Sequence, residues 1–142
     1  MAGETTNADG YTATALQTHS KQVGVVDATH EVTTGELELA DKIRIGKVPA
    51  GATYLGGYLA TDDLDSNGTP ALVLTLGDDD DADGIVATGT VGQAAGITRA
   101  DGAYVTNRTT TTAEKTIYVT VGTAAATAAA GTLRAVVEYY VE

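Results

Sequence analysis

The chain has no cysteine, tryptophan or phenylalanine, and only two prolines and one methionine. Without cysteine it can form neither disulfides nor thiolate metal sites. Seven tyrosines carry all the aromatic area, which leaves little to grip a sugar in a glycosidase-like cleft. Cations are scarce too: eight Lys and Arg stand against nineteen Asp and Glu, for a net charge of −11. Phosphate backbones and anionic membranes are held by clustered Lys and Arg. No such cluster occurs, so neither nucleic acid nor a membrane is expected as a partner. No apolar run approaches the roughly 18 residues of a transmembrane helix. The N-terminal stretch MAGETTNADGYTATALQTHSKQ lacks the basic start and apolar core of a signal peptide, which predicts cytosolic synthesis.

What is present is small and branched. The 142 residues predict one domain. Leu, Ile and Val together number 29, beside 25 Thr, 24 Ala and 17 Gly. Threonine suits a pleated surface, whereas Ala and Gly bury little area, so the core is thin and oligomerisation is expected to support it.

The organising stretch is Asp41 to Ala87. Ile43 and Ile45 alternate with Lys42, Arg44 and Lys47, the period-2 signature of a half-buried strand. Val48-Pro49-Ala50-Gly51 reads as a turn. Strands follow around Leu55–Leu59, Leu72–Leu76 and Ile85–Thr88. Gly56-Gly57 within the second predicts a bulge or a close backbone approach, by the facing sheet. Val23 to Val32 predicts an earlier strand, Ala103–Asn107 a short one and Lys115–Val121 a clear one. Thr123–Ala130 (TAAATAAA) favours helix by propensity but is too short to hold one alone, so it reads as a hairpin connection. The last strand, Thr132–Val141, places Leu133, Ala135, Val137, Tyr139 and Val141 on one face and Arg134, Val136, Glu138 and Tyr140 on the other. Both faces turn apolar near its end, so it is central or covered by a second subunit. These signals predict an all-β, antiparallel β-sandwich over 21–142, jelly-roll-like, with about eight strands. Residues 1–20, with Leu16 their one large aliphatic, predict a flexible or extended N-terminal arm.

Candidate chemistry is sparse. Two loops match the first half of a calcium loop: Asp63, Asp65 and Asn67 before Gly68, and Asp79, Asp81 and Asp83 before Gly84. Alternating oxygens can wrap a hard cation. Position 12, however, is Leu74 or Thr90 instead of Glu, so these are not EF-hands. The competing reading is that Asp and Asn form turns, with Asp78–Asp81 a solvated tip. His19 and His30 have too few neighbouring ligands for zinc, and neither Ser20 nor Ser66 has a nucleophile-elbow context. No enzyme and no cofactor is expected beyond that calcium candidate. Asn67-Gly68-Thr69 and Asn107-Arg108-Thr109 are glycosylation sequons that matter only in a eukaryotic secretory setting.

The run IRIGKVPAGATYLGGYLATDDL, then ALVLTLGDDDDADG, then a last strand ending AVVEYYV, resembles small structural proteins of tailed-bacteriophage heads over residues 41–141. Some of these are capsid decoration, or cement, proteins. The resemblance implies a virion protein made in the bacterial cytoplasm and bound to the outer capsid surface. It implies the major capsid protein as partner, a homotrimer, and subunit or capsid contacts at Leu16, Val136, Tyr139, Tyr140 and Val141. A carbohydrate-binding head-fibre or surface module, calcium-dependent through the acidic loops, is the alternative from another class. A head–tail connector or tail component is a third.

Overall fold

A computed structural model describes residues 2–11 and 22–141. Among these, nine strands run in order: β1 (Thr5–Asn7), β2 (Gln22–Val32), β3 (Lys42–Val48), β4 (Ala52–Thr61), β5 (Val73–Gly77), β6 (Val86–Gly89), β7 (Gly96–Arg99), β8 (Lys115–Thr123) and β9 (Gly131–Val141). One helical turn, α1 (Ala103–Thr106), precedes β8. The strands form a five-stranded sheet, β1-β3-β8-β5-β6, and a four-stranded sheet, β2-β9-β4-β7. All pairings are antiparallel except β1 with β3.

The winding is that of a jelly roll. β5 pairs with β6, β4 with β7, β3 with β8 and β2 with β9. These nested pairs are one long hairpin, rolled so that every connection except β5–β6 passes between sheets. Period-2 alternation then sorts side chains. Ile43, Ile45, Leu74, Leu76, Ile117, Val119, Leu133 and Val137 face inward into one continuous core. Of the expected arm, β1 lies beside β3 and Ala8 is buried in the core. Leu16 and His19 lie outside the described residues.

Two glycines mark close approaches. Gly24 on β2 faces the Tyr139 ring, and a Cβ there would fall 2.5 Å from the ring. Gly57, at φ +148, would bring a Cβ within 2.1 Å of the Val136 carbonyl. The approach expected from the facing sheet thus comes from the neighbouring strand, β9. The bulge lies between Tyr54 and Gly56.

Three local expectations change. Val91–Ala100, whose sequence reads as a loop with room for one helical turn, has such a turn at Val91–Gln93 and then a strand, β7, that is too short to show periodicity. Ala103–Asn107 is a helical turn, not a strand, with the Tyr104 N–H donating to the Gly84 carbonyl at 2.8 Å. Thr123–Ala130 is neither helix nor hairpin, because β8 and β9 lie in different sheets. Its amides are engaged elsewhere. Ala126 and Thr127 N–H each donate to the Asp65 carboxylate at 2.9 Å, and Ala129 N–H donates to the Leu64 carbonyl at 3.0 Å.

Asp65 is 1% exposed. Its carboxylate also accepts N–H groups from Asn67, Ala71 and Leu72. Burial pushes its pKa up, but the donors of Thr127, Ala71, Ala126 and Leu72 outweigh that and hold it well below the usual carboxylate range. Asp65→Asn places an amide NH2 among N–H donors, and should cost about 3–5 kcal/mol at neutral pH. Because the folded pKa is depressed, this stabilisation is complete above the unfolded value of about 3.9 and fades as pH falls below it. Calorimetry should therefore show the Tm gap between wild type and variant holding steady from pH 7 to about pH 5 and narrowing as the pH falls below about 4. A constant gap would overturn this account.

Candidate interaction faces and the acidic loops

The acidic loops are internal fasteners. In the first, Asp63 Oδ1 accepts the Asp65 N–H at 3.1 Å, and Asn67 Oδ1 accepts the Thr69 N–H at 2.9 Å. The Asn67 amide NH2 donates to Thr127 Oγ1 at 2.8 Å. These side-chain oxygens of Asp63, Asp65 and Asn67 accept N–H groups of the chain itself, the role that the turn-forming reading gives them. In the second loop, Asp79 Oδ2 accepts the Thr116 N–H, and Asp80 pairs with Lys115 at 2.6 Å. Asp81 lies beside Asp83. The hydrogen bond between their carboxyls, followed by burial, pushes the Asp81 pKa up. Among the described residues, no three acidic or histidine side chains converge as a metal site needs.

The residue that organises the second loop is Asp78, read from sequence as part of a solvated tip. It is buried. Tyr54 O–H donates to its Oδ2 at 2.8 Å and Tyr104 O–H to its Oδ1 at 2.9 Å. The two tyrosine rings stack with centroids 5.1 Å apart and planes within 1°. Burial first, then the charge and hydrogen bond of Asp78, push both phenol pKa values up. This joins β4, the β5–β6 connection and α1 at one end of the sandwich. Its parts are far apart in sequence, and only the position of Asp78 directly after a buried strand hints at it. His30 plays a similar part at another corner: its Nε2–H donates to Glu36 at 2.8 Å, and its Nδ1 lies 3.4 Å from Asp9.

The outward surface of the four-stranded sheet is of another kind. Val23, Val25 and Ile97 are 56%, 45% and 63% exposed on it. In register, Tyr140 lies between Val23 and Thr53, and Val136 between Asp27 and Tyr58. The guanidiniums of Arg99 and Arg134 lie 5.8 and 5.9 Å from the Tyr58 ring centroid. Arg134 also grips the Asp27 carboxylate with two bonds, of 2.9 and 2.7 Å. Of the residues expected at contacts, Val136 and Tyr140 belong to this face, and Val141 packs half-buried against the core. Tyr139 does not: its side chain points into the core. Ile97 and Arg99 were missed along with β7. Their two-residue spacing was the signal, in a strand too short to stand out.

No protein-family model matches the sequence, and no curated protein matches it. Among solved structures, the chain is similar to one in the capsid of Ralstonia phage GP4, with a TM-score of 0.81 and 24% identity, covering 97% of this chain and 98% of that one. It is also similar to a chain of the cyanophage Pam1 capsid asymmetric unit, with a TM-score of 0.74 and 30% identity, covering 92% and 94%. The first likeness establishes a shared fold. The second adds shared sequence over nearly the whole of both chains, and the protein belongs to this family of phage capsid proteins.

The Asp78 cluster makes an ordered prediction. Tyr54→Phe should cost about 2–3 kcal/mol, because Oδ2 has no other donor among the described residues. Tyr104→Phe should cost about 1 kcal/mol, since Oδ1 keeps the Asp80 and Asp81 N–H groups. Denaturant unfolding of the two variants reads the difference, and the reverse order would contradict the assignment.

Proposed function

We propose that the protein is a capsid decoration protein, binding the outside of an icosahedral phage shell and stabilising it. The observation that carries this reading is the near full-length likeness to a protein of a phage capsid asymmetric unit. Its charge favours the outer surface. At −11 it would be repelled by a packaged genome on the inside. A protein that binds only the assembled shell shifts the equilibrium towards that shell by mass action.

The outward face of the four-stranded sheet supports self-association. Contiguous exposed apolar surface marks a contact site more often than a solvated one, and Val23, Val25 and Tyr140 supply it at one end of this face, with Ile97 standing apart beside Ala60 at the other. A closed trimer uses such a patch without leaving open ends. The major capsid protein is the partner beneath.

Light scattering should give three times the 14.4 kDa chain mass, unchanged by chelator. Val25→Glu should lower that mass. The purified protein, added to particles assembled without it, should appear by cryo-electron microscopy across the whole shell and raise the temperature of genome release. Binding at a single vertex would instead indicate a connector or tail component. A chelator-sensitive monomer that leaves the shell bare would overturn both the trimer and the decoration reading.

A further inference from the structure

The five-stranded sheet has a charge pattern unlike the rest of the molecule. Its strands β1, β3, β5, β6 and β8 contain none of the chain's nineteen Asp and Glu residues, yet they hold four of its eight Lys and Arg: Lys42, Arg44, Lys47 and Lys115. Three of these form a row down β3. In register, Lys42 lies beside Thr120, Arg44 beside Tyr118 and Lys47 beside Thr116. On the far side of Thr120 is Thr75. The outward surface is thus a cationic row next to a hydroxyl-rich row.

The cations differ in how they are neutralised. Lys115 pairs with Asp80, and Lys47 lies 3.4 Å from Glu114, both at one end of the sheet. Lys42 and Arg44, nearer the middle, have no carboxylate partner among the described residues. The Lys42 ammonium sits 5.1 Å from the Tyr118 ring centroid, and Arg44 donates to the Asn7 side-chain oxygen at 3.3 Å. These neutral contacts hold both side chains against the sheet without cancelling their charge. In a chain with more than twice as many acids as bases, two central cations left unpaired form a localised positive field.

Resting on the decoration reading, we propose that the outward face of the five-stranded sheet, centred on Lys42 and Arg44, docks on an acidic protein surface of the shell. Charge complementarity selects this occupant. An acidic surface repels the remainder of a −11 molecule and attracts only this face, so the same field that brings the protein in also fixes its orientation. Duplex DNA fits less well, because three or four cations release few counterions while the net charge opposes approach. The apolar face on the opposite sheet stays free for neighbouring copies.

The test uses the whole protein and shells assembled without it. Co-sedimentation is measured for wild type, Lys42→Glu/Arg44→Glu and Lys42→Gln/Arg44→Gln, at low salt and near 0.15 M. Neither cation is in an ion pair within the described residues, so both variants should keep the wild-type mass and Tm; the Gln pair serves if the Glu pair misfolds. Wild-type binding should weaken as salt rises. The Glu variant should bind at least about tenfold more weakly and lose most of that salt dependence, with the Gln variant between them. If wild type binds and the variants bind equally well, this docking face is wrong while the decoration reading stands. If wild type does not bind at all, the decoration reading fails and the inference with it. Salt-sensitive binding to a duplex DNA probe, lost in the variants, with no effect on shells, would make the face a polyanion site and overturn the proposal. A loss of self-association in the variants, with shell binding intact, would assign the face to a second copy instead.

Discussion

The structure depends on buried carboxylates that accept backbone N–H groups. A jelly roll must carry its chain from one sheet to the other at nearly every step, and each crossing leaves amides without a ladder partner. A core rich in Ala, Gly and Thr cannot offset many such losses by apolar burial alone. Asp65 resolves the problem for two crossings at once, tying the β4–β5 connection to the β8–β9 connection. Asp78 plays a like part inside one sheet, accepting N–H groups of the β5–β6 connection and the hydroxyls of two stacked tyrosines. Asp41 takes the N–H groups of Glu4 and Glu38 and so joins the start of the chain to the entry of β3.

That use of aspartate separates two meanings of acidity in one sequence. The buried acids set the loops, and the exposed acids set the molecule's charge and keep it away from polyanions. The strands have their own division of labour. One outward face presents apolar side chains and an arginine-flanked tyrosine, and the other presents cations and hydroxyls from strands that contain no acid. On the decoration reading, one face would meet neighbouring copies and the other the shell. The sandwich supplies two faces of different chemistry back to back.

Much of the fold was legible because strands announce themselves by alternation. β2, β3, β4, β5, β8 and β9 follow the period-2 rule, and the inward parity of Leu133, Ala135 and Val137 was readable residue by residue. The same parity put Tyr139 inside and Tyr140 outside, a distinction lost when the pair was treated as one contact. β7 escaped because four residues beginning with glycine carry too little pattern. The Ala-rich connection reads as a hairpin because two clear strands flank it in sequence, whereas those strands lie in different sheets and Asp65, some sixty residues away, claims its amides. The aspartate loops were ambiguous because cation binding and loop fastening use the same oxygens at the same spacing. In the structure Asp63, Asp65, Asn67, Asp79 and Asp81 each accept an N–H of the chain itself, an arrangement that sequence does not encode locally. The exposed apolar and cationic faces were half visible as outward positions on single strands. Their continuity came only from strand order.

The nested pairing has a mechanical side. β2 and β9, the longest strands, lie next to each other in antiparallel register, with Gln22 opposite Val141. Tension applied between those two points would open the ladder from one end, loading its hydrogen bonds one after another. Force spread across the broad faces would load many strands together. A jelly roll wired this way is weak when pulled between those two points and strong when squeezed or sheared through its sheets. It therefore suits a clamp that carries strain between neighbours through its faces, and would serve poorly as a tether loaded across that pair of strand ends.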